Sequence, residues 1–222
     1  VDTLFEEIDK SLDRGDNLKI ISPKITASPR GSATAIAGNP NGTATSFTGV
    51  PVTFDANGNA PFSFTYNDAG SIWLDSKVTV NSATLLSVRN ASSHVTRPAR
   101  FAVTNIKQTA SPNLVNPGAA SAAGSRFVKA GESFTATVTA QTTGGATTPN
   151  FGKESTPEGV LLTPTLVLPS GGASGSLSNG TIAGGSFSNG VATVTNLAYS
   201  EVGIVTLTST VASGNYITPV GR

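Results

Sequence analysis

One stretch of this sequence occurs twice, and the repeat restricts the folds that the chain can adopt. Residues 66–74 read YNDAGSIWL, and residues 199–207 read YSEVGIVTL. The match continues downstream without a gap and follows the pattern Y-x-[DE]-x-G-x-[IV]-x-L-x-S-x-V. Apolar residues occupy alternate positions, which is the signature of a half-buried strand. The repeat therefore predicts two related domains built from β-strands.

Each copy predicts two strands joined by a short polar corner. Asn-Gly pairs at 57–58 and 189–190 precede the corners and supply the positive φ that tight hairpins need. The corner glycine lets the chain bend into the last strand, and the tyrosine before it can tie the loop down through its hydroxyl. The acidic residues occupy equivalent positions, which favours a structural role. The predicted corner residues are Tyr66, Asp68 and Gly70 in the first copy and Tyr199, Glu201 and Gly203 in the second.

The composition favours an all-β protein and excludes several other classes. Only 12 % of the 222 residues are charged, and 24 residues are glycine. The net charge of +1 gives no electrostatic basis for binding nucleic acid or an anionic membrane. The absence of cysteine excludes disulfides, thiolate zinc sites and cysteine nucleophiles. No apolar run approaches the roughly 20 residues of a membrane span, so we expect no membrane insertion within this stretch.

The ends of the sequence indicate a piece of a longer protein. The chain begins with Val1, and its start lacks the basic region and the apolar core of a signal peptide. Residues 1–15 predict a short amphipathic helix that ends at Gly15, with its apolar residues on one face. This helix either packs on the first domain, which is the favoured interpretation, or docks a partner.

Alternating apolar residues predict strands along the rest of the chain. In the first half they include residues 50–54 and 71–80. In the second half they include residues 134–140 and Val160–Leu168. Residues 171–185 are rich in Gly, Ser and Asn and predict a flexible loop.

Few residues have the types and spacing that catalysis or metal binding needs. The single histidine, His94, lies in a predicted domain boundary, no nucleophile elbow accompanies it, and a zinc site would need further ligands. Asp55 opens the stretch DANGN, which looks like the start of a calcium loop, but the bidentate acid of such a loop does not follow. A hairpin turn is the favoured interpretation of that stretch. We therefore predict no catalytic residue, no cofactor and no metal.

Two features of the predicted strands could contact a ligand. Trp73 alternates with Ile72 and Leu74, so it faces outward, where its ring could stack on a sugar. Its counterpart in the second copy is Thr206, so the fold does not require it. Trp73 is the candidate ligand contact, although an interdomain contact is the favoured interpretation. The alternating threonines of residues 135–139 are typical of a solvent-facing strand and are also compatible with an ordered-water or sugar face.

Three stretches of the second half resemble the repeat region of MshQ-like proteins. They read RPARFAV (97–103), FVKAGESFTATVTAQTTGGATTPNFGKE (127–154) and FSNGVATVTNLAYSEVGIVTL (187–207). MshQ-like proteins are large bacterial surface proteins associated with the biogenesis locus of the mannose-sensitive haemagglutinin, a type IV pilus. The likeness is strongest over residues 97–222, and residues 1–45 match poorly.

This resemblance implies an exported, cell-surface protein of a Gram-negative bacterium, at or near a type IV pilus, and it brings no catalytic residues. We expect an all-β chain of two tandem immunoglobulin-like β-sandwich domains, at 16–94 and 95–222, behind the helix at 1–15. The leading hypothesis is a non-enzymatic structural or adhesion segment whose partners are pilus or envelope proteins. The alternatives are a carbohydrate-binding adhesin module that contacts host or surface glycans, and an accessory domain of a larger secreted enzyme.

Overall fold

The protein is built from β-strands, turns and loops, which confirms the predicted fold class. The computed structural model describes residues 18–21, 25–28, 34–36, 38–39, 46–80, 83–89 and 93–217. The helix predicted for residues 1–15 lies outside these ranges. None of the helices in the described ranges has the length and apolar character that crossing a membrane requires.

The described residues form two compact units. The first contains the described residues up to Asn67 together with Ser71–Thr96. The second contains Asp68–Gly70 and the described residues from Arg97 onward. The limits 16–94 and 95–222 stay predictions.

The described residues of the first half of the chain form two sheets and a strand pair. The sheets have the orders β4–β1–β7–β8 and β3–β2–β5, and β6 pairs with β9. The strands are β1 (Leu18–Ile21), β2 (Ile25–Ser28), β3 (Thr34–Ile36), β4 (Thr48–Val50), β5 (Ser63–Tyr66), β6 (Gly70–Ile72), β7 (Asp75–Val80), β8 (Ala83–Arg89) and β9 (His94–Thr96).

The core of the first unit joins residues from both sheets. Ile36 of β3, Val50 of β4 and Ile72 of β6 are buried against one another. Partly buried apolar side chains complete the cluster: Val52, Phe64, Tyr66 and Leu74. Residues from β3, β4 and β5 thus close over one apolar layer, as in a sandwich.

Two strands predicted in the first half differ from the structure. The strand predicted at 50–54 is wrong, because β4 ends at Val50. Pro51 follows, and proline has no N–H to continue the ladder with β1. The single strand predicted at 71–80 is also wrong. The chain leaves β6 at Ile72 and enters a different sheet as β7 at Asp75, so Trp73 and Leu74 form the crossing between sheets.

The second unit is a sandwich of two antiparallel sheets. Their orders are β10–β11–β15–β13 and β14–β12–β16. The strands are β10 (Arg100–Gln108), β11 (Ser133–Gln141), β12 (Val160–Leu168), β13 (Leu177–Ser178), β14 (Thr181–Ile182), β15 (Val191–Tyr199) and β16 (Ile204–Val211). The β12 limits match the prediction. Residues 171–185 were predicted as a loop, but they contain β13, β14 and the start of a short 3₁₀ turn at Gly184–Ser186.

The central strand β11 separates the core from the surface by simple alternation. Phe134, Ala136, Val138 and Ala140 are at most 5 % exposed and point into the sandwich. Leu162 of the facing sheet is buried as well, at 2 % exposed. The threonines between the four β11 residues lie on the opposite face of the sheet.

An aromatic cluster fills one part of this core. Phe151 is fully buried and makes edge contacts with Phe101 and Phe187 at centroid distances of 5.1 and 4.9 Å. Tyr216, which follows the last strand, stacks on Phe151, and its hydroxyl donates to Glu154 Oε1 at 2.6 Å. The chain after β16 is therefore fastened to the sandwich.

The two Asn-Gly pairs form different turns. Asn189 and Gly190 have φ of 49° and 77°, and Ser188 and Val191 exchange backbone hydrogen bonds of 2.9 and 3.0 Å. This is the two-residue hairpin that the sequence predicts. In the first copy only Gly58 has positive φ, at 75°, and the turn is wider because Asp55 N–H donates to the Asn59 carbonyl at 2.8 Å.

Candidate functional site

The corner of the second copy is held by its tyrosine. Tyr199 is 7 % exposed, and its hydroxyl accepts a hydrogen bond from Gly175 N–H at 2.8 Å. Gly203 has φ of 150°, and a Cβ there would lie 2.4 Å from the Leu168 carbonyl oxygen. Glu201 is exposed. Tyr199 and Gly203 therefore shape the scaffold of the second unit.

The acidic residue of the first corner is buried and hydrogen-bonded. Asp68 is 1 % exposed, and its Oδ1 accepts hydrogen bonds from Ala69 N–H at 2.8 Å and Asn150 N–H at 3.0 Å. Tyr66 packs against the core of the first unit. Gly70 has φ of 136°, close to that of Gly203. The glycines of the two corners thus share a conformation, whereas the two acids differ in burial and in hydrogen bonding.

Trp73 occupies a different setting from the predicted one. It lies in the crossing between β6 and β7 rather than within a strand, and it is half-buried. Its neighbours Ile72 and Leu74 belong to the apolar cluster of the first unit. Trp73 therefore alternates with core residues as the sequence indicates, but on a connecting segment.

Two other residues considered for chemistry have structural contacts. The His94 ring packs edge-on against Phe64, with a centroid distance of 5.4 Å. The Asp55 carboxylate accepts the N–H groups of Asn59 and Asn57 at 2.8 and 2.9 Å. These hydrogen bonds, that of Asn59 foremost, lower the pKa of Asp55 from its ordinary value. Among the described residues, no group of three or more His, Asp or Glu side chains could hold a metal.

A groove on the outer face of the second unit is a candidate site. It lies over β11, where both neighbouring strands bulge. Between β10 and β11 the register shifts so that Asn105 and Ile106 face one residue, Ala136. Between β15 and β11 it shifts so that Thr195 and Asn196 face Thr135. Bulges bend a strand and re-aim its side chains, and they are common beside binding sites.

Side-chain hydrogen bonds close the backbone gap at the β15 bulge. The Thr109 hydroxyl donates to the Thr195 carbonyl and lies 3.2 Å from the Thr135 hydroxyl. Because a hydroxyl has one proton, Thr109 accepts from Thr135. The Asn179 amide donates to the carbonyl of Asn196 at 2.8 Å. Thr135 is only 6 % exposed, so it forms a fixed floor for the groove.

The groove has a volume of about 550 Å³, and its lining presents polar groups together with apolar surface from threonine methyl groups and Val115. Ligand pockets typically enclose about 300–1,000 Å³. Hydroxyl and amide groups come from Thr137, Thr193, Asn105 and Asn113, and Lys107 supplies the one charge in the lining. Such a surface can form many hydrogen bonds with a hydroxylated ligand.

The loop after β10 forms one wall of the groove. Val115 forms an isolated bridge with Lys107, and Gln108 N–H donates to the Leu114 carbonyl at 2.9 Å. The Asn113 amide donates to the carbonyls of Thr109 and Gln108 at 2.9 and 3.1 Å. The loop therefore extends the sheet beyond β10 in a defined conformation.

Sequence reasoning considered the threonines of β11 but not the groove around them. The lining residues come from β10, the loop after it, β11 and β15, and only strand pairing brings these elements together. Asn105 has a positive φ of 50°, which asparagine tolerates better than most residues. An asparagine in a strand pattern was therefore the one sequence signal of the bulge. Trp73 is not among the residues that line the groove.

The sandwich of the second unit and the layered sheets of the first define a chain of immunoglobulin-like modules. Residues 17–91 match the family model described as "Domain of unknown function (DUF6701), first Ig-like domain". Residues 97–200 match the model described as "DUF6701, second domain". The chain belongs to the DUF6701 family. No match was found among curated proteins or among solved structures. Tandem modules of this type indicate a structural or adhesion-type role.

Proposed function

We propose that this chain is a non-enzymatic structural and adhesion segment of an exported surface protein of a Gram-negative bacterium. Its modules hold binding surfaces away from the cell and contact pilus or envelope proteins. The observation that carries the proposal is the succession of two modules that match the first and second domains of one Ig-like family. Function in such modules lies in surface loops and sheet faces.

The association with a type IV pilus rests on the likeness to MshQ-like proteins. That likeness is carried by residues 97–103, 127–154 and 187–207. These stretches contain the first four residues of β10 and all of β11 and β15, strands of the sheet that bears the groove. The proposed pilus contact therefore has a surface on which it can be sought.

Labelling of source cells with an antibody to this chain tests the proposal. We expect surface signal that follows the pili and falls when the pilus genes are deleted. Surface signal that is unchanged without pili would contradict the pilus association and leave a general envelope adhesin. Signal found only inside the cell would contradict the exported role altogether.

A carbohydrate-binding adhesin module is the second candidate, favoured by the hydroxyl- and amide-lined groove. A glycan array probed with the whole chain tests it, with Trp73→Ala as the variant for the predicted aromatic contact. We expect glycan signal that Trp73→Ala retains, because Trp73 does not line the groove. Loss of signal in Trp73→Ala would place the contact at the tryptophan, and an array without signal would contradict carbohydrate binding.

A further inference from the structure

We propose that the groove over β11 binds an acidic saccharide, a sugar chain that carries carboxylate groups. The proposal rests on the carbohydrate-binding candidate function and specifies its ligand and its site. Three features of the second unit carry it: an unopposed cation, a set of fixed polar groups around that cation, and an ordered floor and wall.

The cation is Lys107. It is exposed and lines the groove, and it is the register partner of Thr135 on the neighbouring strand. The lining contains no carboxylate, and in the described part of the chain no acidic residue pairs with Lys107. A lysine ammonium has three donors and favours an anionic oxygen as its partner. The ligand should therefore present an anion to this point.

The polar groups around Lys107 suit a hydroxylated ligand. Thr137 and Thr193 are cross-strand neighbours on the outer face, and Asn105 at the β10 bulge reaches towards the Thr137 hydroxyl at 3.4 Å. The threonine hydroxyls of Thr137 and Thr193 can donate and accept, and the Asn105 amide offers both functions. Asn113 offers a ligand its amide oxygen, because its two N–H groups bond the carbonyls of Thr109 and Gln108. Sugar hydroxyls have the same dual character. A peptide backbone would present fewer such groups for the same length of chain.

The floor and wall are ordered before a ligand arrives. Thr109 fixes Thr135 and the Thr195 carbonyl, and the Asn113 amide fixes the loop that carries Val115. A surface that is already ordered loses little conformational entropy on binding. Val115 is 72 % exposed beside Lys107 and offers an apolar contact for the C–H face of a sugar ring.

The lining also argues for an acidic sugar over a neutral one. None of its side chains is aromatic, so the stacking that often orients neutral sugars is not available there. Orientation has to come from the ion pair with Lys107 and from directional hydrogen bonds. This combination selects a saccharide whose carboxylate and hydroxyls lie on one side.

Titration calorimetry of the whole chain with a hexamer of mannuronic acid tests the proposal, with the uncharged hexamer of mannose as the matched probe. We expect the acidic hexamer to bind at least tenfold more tightly than the neutral one, with affinity that falls as salt rises. Lys107→Met should weaken binding at least tenfold, and Thr193→Val severalfold. Lys153→Met is the matched control, because Lys153 is also exposed but does not line the groove, and it should leave binding unchanged.

Four results would overturn the proposal. They are no binding of the acidic hexamer, equal binding of the neutral hexamer, unchanged affinity in Lys107→Met, and equally tight binding of polyglutamate. The last result would show that the groove recognises negative charge alone. Circular dichroism of each variant checks that it folds. A failed titration would leave the cell-labelling result standing, so the ligand and the surface role are tested separately.

Discussion

The ring of Tyr216 stacks on the ring of Phe151, with centroids 5.8 Å apart and planes inclined by 22°. Phe151 lies in the loop between β11 and β12, whereas Tyr216 lies beyond the last strand. Tyr216 also donates to Glu154, whose other oxygen accepts Gly152 N–H at 2.8 Å. The end of the second unit is therefore fastened by one aromatic contact and one short polar network.

Replacement of Tyr216 should separate these two contributions. Tyr216→Ala removes the ring and should lower the free energy of unfolding by about 3–5 kcal/mol, the usual cost of deleting a buried aromatic. Tyr216→Phe keeps the ring and should cost about 1.5–3 kcal/mol, the range for a hydrogen bond to a charged group. Urea unfolding of the whole chain measures both. Equal losses in the two variants would contradict a contribution from the stack.

The two corner glycines should differ in their tolerance of a side chain. Gly70→Ala should cost about 1–3 kcal/mol, since only the positive φ is unfavourable and the space around it is open. Gly203→Ala should cost more, because the added Cβ would also lie 2.4 Å from the Leu168 carbonyl oxygen and 2.7 Å from Leu166 Cδ1. Differential scanning calorimetry of the two variants makes the comparison. A larger loss in Gly70→Ala would contradict the steric argument.

The Tyr199 hydroxyl should protect one amide. In Tyr199→Phe the Gly175 N–H loses its acceptor, so its hydrogen exchange should accelerate and stability should fall by about 1 kcal/mol. Exchange measured by NMR reports on Gly175 directly. The amide of Ser200, which donates to the Ser176 carbonyl at 3.0 Å, is the internal control. Unchanged exchange at Gly175 would show that the tyrosine does not hold the loop.

The protein should become more stable when Thr148 is replaced by an apolar residue of the same shape. Its side chain is 1 % exposed, and its hydroxyl makes no hydrogen bond with any residue that the structure describes. Burying a hydroxyl without a partner costs about 1–3 kcal/mol, so Thr148→Val should raise the free energy of unfolding. Thermal unfolding measures the change, with Thr148→Ala as the variant that opens a cavity. A loss of stability in Thr148→Val would show that the hydroxyl is satisfied.

Protonation of the Asp55 carboxylate should make the first unit less stable in acid. The N–H groups of Asn59 and Asn57 lower its folded pKa below the unfolded value of about 3.9. The stabilisation is therefore present above the unfolded pKa and is lost as pH falls through the folded pKa. An NMR titration of the Asp55 carboxyl carbon should give a midpoint below that of an unfolded peptide, and Asp55→Asn should abolish the signal. A midpoint at or above the peptide value would contradict the turn geometry.

The alternation of apolar residues was enough to predict the elements that lie in long, regular ladders. Val160–Leu168 has the predicted limits, and residues 134–140 lie within β11, because each pairs along most of its length. Alternation wrongly placed Trp73 within one strand, because a chain that crosses between sheets keeps its period of two while it changes partners. Pattern alone does not tell which sheet a strand joins.

The groove could not be predicted from the sequence for a related reason. The threonines of β11 are visible as a pattern, and one interpretation of them was a sugar face. The contribution of Lys107 depends on a bulge that places it opposite Thr135. Thr109 and Thr195 meet across the intervening strand, although they lie far apart in the chain. Apart from Asn105 at the β10 bulge, neither the register shifts nor the contacts that they create have a local signature in this sequence.

The alternation along β11 keeps two properties of the protein apart. Phe134, Ala136, Val138 and Ala140 specify how the sandwich closes, and a slip by one position would bury threonine hydroxyls in their place. Thr137 and Thr139 take no part in that layer. A substitution at either of them changes the side chains on the outer face and leaves the apolar layer unchanged. The binding specificity of the module can thus change while the packing of its core stays the same.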